Sequence, residues 1–262
     1  MRIPGLALVI ACLALPGCAT QQPEDPMLRS ASNTTGDETN ERARARIHTE
    51  LAAGYFELGN IGVALEEVKE ALRADPNYSP AHNVAGLVYS QLKEDALAEQ
   101  SYQRALSLSP GDYDANNNYG QFLCQRKREA ESIRYFLAAV RNPLYPTPDR
   151  SYVNAGVCSR RSGDMAGAEK FFLMALKVRP NQAQALYQMA EISYVRGDNN
   201  EAKNYLGRLT KVAPASAEVL WLGLRVERRL GDRNSEASYG LQLRNKFPGS
   251  REAQALNAGQ FE

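Results

Sequence analysis

Three regimes of hydrophobic patterning follow one another along the chain. An unbroken apolar run, 5-GLALVIACLAL-15, stands behind a single charge at Arg2 and ends in 15-LPGC-18. Residues 19–40, ATQQPEDPMLRSASNTTGDETN, carry almost no aliphatic side chain. From residue 41 onward, small, aromatic and aliphatic residues return at helical spacing, and the whole pattern recurs about every 34 residues. The first regime is about half the ~20 residues a membrane-crossing helix needs, and it has the build of a secretory leader. The second cannot bury enough apolar surface to fold; it is expected to be a flexible tether spanning on the order of 25 Å. The third predicts helix pairs stacked in one direction.

The period is set by prolines at 76, 110, 146, 180, 214 and 248, with spacings of 34, 36, 34, 34 and 34. Aligned on them, each unit has small residues in its first helix (A), an aromatic three later, Ala and a large apolar residue in its second helix (B), and the closing Pro. Repeat two reads Ala85, Gly86, Tyr89, Ala98, Tyr102, Ala105 and Pro110; repeat four reads Ala155, Gly156, Gly163, Ala168, Phe172, Ala175 and Pro180. Small residues let two helices approach closely, and each Pro biases the residue before it out of the α region. This pattern resembles the tetratricopeptide repeat. It implies an all-α fold, a right-handed superhelical solenoid of six repeats and about twelve antiparallel helices, with the A helices lining a concave groove. The expected organisation is a leader at 1–17, a lipidated N-terminus and tether at 18–40, six repeats at 41–248, and a cap or tail at 249–262. Repeat three carries two additional residues near 142-NPLYPTP-148, which should make the junction with repeat four the weakest seam.

Composition and charge then narrow the partners. The string Leu15-Pro16-Gly17-Cys18 resembles a bacterial lipobox, with Pro16 in place of the usual Ala or Ser. It implies cleavage before Cys18 and acylation of that residue. Three acyl chains hold a protein on a membrane essentially permanently, and Ala19 after the lipidated Cys favours the outer membrane. Removing Arg2 with the leader leaves 30 basic against 30 acidic residues, a net charge of zero. Nothing there draws in nucleic acid over long range. The two histidines, His48 and His82, occupy equivalent slots 34 residues apart where a packing residue is usual, so no metal is expected. No Ser/His/Asp set, phosphate loop or Cys-x-x-Cys is present, and no enzyme activity, cofactor or small-molecule substrate is implied.

Positions five, nine and thirteen of an A helix are expected to face the groove. Those positions hold Asn83 in repeat two and Asn117, Gln121 and Gln125 in repeat three, amides suited to an extended backbone. The other reading is that these amides bridge one repeat to the next. Tyr187 and Tyr194 in repeat five, and Trp221 and Arg225 in repeat six, have the character of interface anchors. They equally suit a terminal repeat that shields its core with amphipathic side chains. Cys12 leaves with the leader and Cys18 is lipidated, so Cys124 and Cys158 remain as an even pair in an oxidising compartment. They lie on neighbouring A helices, where they form a disulfide or stand as two buried thiols.

The strings 118-NYGQFLCQ-125 and 154-NAGVCSRRSGD-164, in a six-repeat lipoprotein of this size, resemble the PilF/PilW family of type IV pilus biogenesis lipoproteins. The resemblance covers the whole mature chain, and its specific part is the cysteine pair. It implies a pilotin: a protein that brings the secretin, the ring through which the pilus passes, to the outer membrane and promotes its multimerisation. A lipid-anchored adaptor for cell-wall enzymes or outer-membrane protein assembly would share the anchor and the repeats, but not the cysteine pair.

Overall fold

A computed structural model describes residues 39–261, and every described element is a helix. The leader, Cys18 and nearly all of the tether lie outside the described residues. In chain order the helices are α1 (Asn40–Glu57), α2 (Ile61–Ala74), α3 (Ser79–Gln91), α4 (Asp95–Leu108), α5 (Tyr113–Gln125), α6 (Glu129–Arg141) and α7 (Pro148–Arg161). They continue as α8 (Met165–Val178), α9 (Ala183–Arg196), α10 (Asn199–Leu209), α11 (Ala217–Leu230), α12 (Arg233–Lys246) and α13 (Arg251–Asn257). Odd-numbered helices are the A helices and even-numbered ones the B helices. The first twelve make six repeats, and α13 supplies the start of a seventh A helix, with Ser250 capping its N-terminus and Ala253 buried on the rung that Ala81 and Ala185 occupy earlier. Residues 249–262, read from the sequence as a cap or a tail, contain this short helix.

One rule of side-chain volume sets how each A helix meets its own B helix. A Cβ placed on Gly86, Gly120, Gly156 or Gly223 would come within 2.5–2.7 Å of the ring of Tyr102, Phe136, Phe172 or Tyr239, sixteen residues on. Where the B helix carries an aliphatic residue instead, Val68 or Leu206, the matching A position is Ala52 or Ala190, and all four are buried. Ring against glycine and branched chain against alanine fill the same space, as close packing requires.

The turn from A to B is closed each time by a residue in the left-handed region. Gly59, Gly163, Gly197 and Gly231 serve in repeats one, four, five and six. Lys93 and Lys127 take that conformation in repeats two and three, at φ 66° and 61°, where a Cβ is unfavourable. Successive A helices pack on one another (α1 on α3, α3 on α5, α5 on α7, α9 on α11, α11 on α13), whereas successive B helices do not pack to that extent. The stack accordingly curves with the A helices inside.

The junction of repeats three and four corrects the expectation of a weak seam. Of the helix pairs that join neighbouring repeats, α6 and α7 pack most extensively. The two additional residues are absorbed by an anchored loop: Tyr145 is buried and stacks on Tyr113 with ring centroids 4.8 Å apart. Asn142 holds the loop at both ends, its Nδ2 donating to Gly111 O (2.7 Å) and its Oδ1 accepting from Leu144 N (2.9 Å). Cys124 on α5 and Cys158 on α7 are joined as a disulfide across the same seam, with Cα atoms 5.8 Å apart. Extra chain length costs little when its side chains are spent on packing.

Candidate docking site

The asparagines expected in the groove are largely used up inside the fold. Asn83 and Asn117 are buried. Asn117 Oδ1 accepts from Asn154 Nδ2 and from Ser151 Oγ, both at 2.9 Å, and Ser151 Oγ is 3.1 Å from the Tyr145 hydroxyl. On the other side Asn117 Nδ2 donates to Asn118 Oδ1 (3.4 Å), and Asn118 Nδ2 donates to Asn83 Oδ1 (3.1 Å). A row of amides thus runs across α3, α5 and α7 and ties three repeats together. Asn116 turns the other way, donating from Nδ2 to Pro110 O (3.0 Å) and Asp112 O (2.7 Å) of the preceding loop. Asn83 and Asn117 bridge repeats and are not open groove-facing groups, which corrects the first reading. Three asparagines persist in a helix because its neighbours satisfy them.

Gln121 is half-buried and Gln125 exposed. Together they line a concavity of ≈ 250 Å³ with Asn154, Val157, Arg161 and Gln184, and the disulfide forms part of its wall. In repeats five and six the expected anchors are also partly engaged. Tyr194 is buried and serves as a platform, with the Arg225 and Arg229 guanidinium carbons 4.5 and 4.0 Å from its ring centre. Tyr187 is half-buried, and burial followed by the nearby Glu191 carboxylate pushes its hydroxyl pKa up. Trp221 stacks on Phe261 from the C-terminal tail, ring centroids 5.8 Å apart. Tyr194 offers no open ring face, which corrects its assignment as a partner anchor, whereas Trp221 is half-buried with Phe261 against one face. His48 pairs with Glu67 (2.6 Å), and His82 Nε2 donates to Pro76 O (2.9 Å).

A different surface stands open. On α1, Ile47 and Leu51 are 48% and 43% exposed, and Leu58, just past the helix end, is 75% exposed. With Glu50, Gly54 and Tyr55 they surround a shallow depression of ≈ 370 Å³. The residues one repeat further on, Ala81, Ala85 and Val88, are completely covered by repeat one, and the same rungs are buried in every later repeat: Ala115, Tyr119 and Phe122, then Ser151, Ala155 and Cys158, then Ala185, Met189 and Ile192. Residues 47, 51 and 54 are therefore a repeat-to-repeat interface whose partner is not among the described residues. Gly54, beside which an added Cβ would meet nothing within 4 Å, leaves a gap in the ridge. Arg42, Arg44 and Arg46 precede this face and Glu50 and Glu57 lie on or after it, so the apolar strip has a basic start and an acidic end. Sequence reasoning missed this strip although the repeat frame contains the signal: the first A helix has no predecessor among the described residues, yet it keeps an interface pattern with larger side chains.

Comparison with known proteins agrees with this architecture. Models of the tetratricopeptide repeat match residues 49–113, 96–147 and 184–216. The chain is 30% identical over 205 residues to the type IV pilus assembly protein PilF of Pseudomonas aeruginosa, covering 78% of each chain. A solved structure from work on the functional characterisation of Pseudomonas aeruginosa PilF superposes with a TM-score of 0.76 at 31% identity, covering 84% of this chain and 100% of that one. The crystal structure of PilW, described as a widely conserved type IV pilus biogenesis factor, superposes with a TM-score of 0.72 at 33% identity, covering 81% and 97%. The six helix pairs and these similarities together place the chain in the PilF/PilW family of tetratricopeptide-repeat proteins of type IV pilus biogenesis.

Proposed function

We propose that this chain is a pilotin: a lipoprotein held at the periplasmic face of the outer membrane through Cys18, which binds secretin subunits and promotes their multimerisation there. Membership in a pilus biogenesis family supports the setting, and the lipobox-like Leu15–Cys18 supports the anchor. The observation that carries the binding role is the open interface on α1. Its ridge, Ile47, Leu51, Gly54 and Leu58, has the i, i+4, i+7, i+11 spacing of a helix face that packs on another helix. The matching occupant is an amphipathic helical segment of the secretin that takes the place a preceding A helix holds in the later repeats. A side chain of that helix would enter the gap at Gly54. Covering the exposed parts of Ile47, Leu51 and Leu58 contributes on the order of 1 kcal/mol for each side chain. That is sufficient for a reversible escort, which must release subunits into a ring.

The test uses cells in which Leu51→Glu replaces the natural chain. A charge on this already exposed position leaves the fold intact, so the protein should accumulate normally while secretin multimers in the outer-membrane fraction fall sharply. Wild-type multimer levels in that variant would remove the reading. Cys18→Ala in parallel should shift both proteins out of the outer membrane, which separates failure of the anchor from failure of docking.

A further inference from the structure

The concave face of repeats four to six carries cations that the rest of the fold does not neutralise. Elsewhere on this edge the arginines are paired with acids: Arg160 with Glu191 (2.6 Å), Arg196 with Glu169 (2.9 Å) and Glu201 (2.5 Å), Arg228 with Glu236 (2.9 Å), and Arg126 with Asp95. Arg161, Arg225 and Arg229 have no carboxylate within ion-pair distance among the described residues. Arg225 and Arg229, one turn apart on α11, are held by a single buried ring. Arg225 Nε donates to the Tyr194 hydroxyl (3.3 Å), Arg229 Nη1 donates to the Tyr194 main-chain oxygen (3.1 Å), and both guanidiniums lie over the ring. Two like charges are thus fixed close together with most of their N–H donors unspent. A rigid fork of this kind suits a carboxylate.

Arg161, Val195 and Arg229 occupy the same rung of three consecutive A helices, α7, α9 and α11. The two arginines are exposed, and Val195 between them is 73% exposed, a large value for an aliphatic side chain lining a groove. The surface therefore presents cation, apolar seat and cation in a line across the stack. We infer that this strip is a second docking surface, for an extended acidic segment of a partner protein with an apolar residue midway between two carboxylates. Neighbouring A helices stand on the order of 10 Å apart, and an extended chain advances about 3.4 Å per residue. One repeat then corresponds to about three residues, and the two carboxylates to positions about six apart. A concave strip fits an extended chain, whereas a bilayer is flat. The inference is independent of the α1 reading.

The probe is an acetylated, amidated peptide with two glutamates six residues apart, a leucine midway and serine or glycine elsewhere, labelled for fluorescence anisotropy with the mature, unlipidated chain. Saturable binding is expected, weakened by salt and reduced about tenfold when the glutamates become glutamines. Arg225→Gln with Arg229→Gln, and separately Arg161→Gln, should each weaken it by a similar factor while the far-ultraviolet circular dichroism at the assay temperature stays that of the natural chain. Leu51→Glu should leave it unaltered. Absence of binding at millimolar peptide, or equal binding of the glutamine peptide, overturns the proposal. So does arginine-dependent sedimentation with phosphatidylglycerol vesicles in place of peptide binding, which would assign the strip to lipid headgroups.

Discussion

Gly156→Ala probes the packing rule that sets the geometry of every repeat. The new Cβ would lie 2.5 Å from Phe172 Cε1 and 2.7 Å from Cδ1, against ordinary carbon–carbon contact near 3.5–4.0 Å. Phe172 is completely buried, so the ring must shift by about 1 Å within a closed core. Overpacking of this size costs about 1–3 kcal/mol. The better helix propensity of Ala offsets about 1 kcal/mol. The net loss expected is about 1 kcal/mol. Phe172→Leu alone leaves a void beside Gly156 and should cost about 1–2 kcal/mol. The double variant recreates the pairing of Ala190 with Leu206, which the fold already contains. It should be more stable than the sum of the two single effects predicts, with a coupling energy of at least about 1 kcal/mol. Urea denaturation followed by far-ultraviolet circular dichroism, with the slope checked for constancy, reads this directly. Strictly additive effects would show that ring and glycine do not compete for one space, and the volume rule would fail.

Four further outcomes follow from the same structure. Reducing the disulfide, or Cys158→Ser, opens a loop whose ends are 34 residues apart; it should destabilise the chain by about 3–4 kcal/mol in the chain-entropy model, read as a fall in melting temperature, and unchanged melting would refute the staple. Asn117→Ala should cost about 1–3 kcal/mol in urea denaturation, because the buried Ser151 and the half-buried Asn154 lose their acceptor; a neutral result would return Asn117 to the groove. Lys127→Gly should stabilise by up to about 1 kcal/mol in the same assay, since the residue sits at φ 61°. Burial lowers the His82 pKa below its ordinary 6.5, so below about that pH the unfolded chain binds a proton that the folded chain resists. Stability is then lost as pH falls from about 6.5 through the folded pKa, and His82→Gln should flatten that part of the profile.

The repeat architecture was legible because six closing prolines and the small-residue rungs impose one period on the whole chain. Cys124 and Cys158 could be placed on facing helices by the same period, while their bonding required the structure. Where sequence reasoning fell short, the cause was a partner outside the local pattern. Asn117 looks like a groove residue until Ser151 and Asn154, on the next A helix, are seen to take up its amide. Trp221 looks like an open anchor on both faces until Phe261, in a tail that obeys no period, is seen stacked on one of them. The loop at 142–148 looks loose because its length departs from the repeat, but Tyr145 and Asn142 fasten it. Ile47 and Leu51 were overlooked for the opposite reason: their spacing fits the repeat so well that they read as core, and they are exposed because no A helix precedes them among the described residues.

The most direct measurement of the docking claim places a photo-crosslinking amino acid at position 51 of the anchored chain in cells, with position 241 as the control. Leu241 on α12 is comparably exposed, at 56%, but belongs to no interface rung. The account predicts a secretin adduct from position 51 and none from position 241, with the adduct lost when Ile47→Glu is added. Equal adducts from both positions, or none from position 51 in cells that assemble secretin multimers, would contradict it.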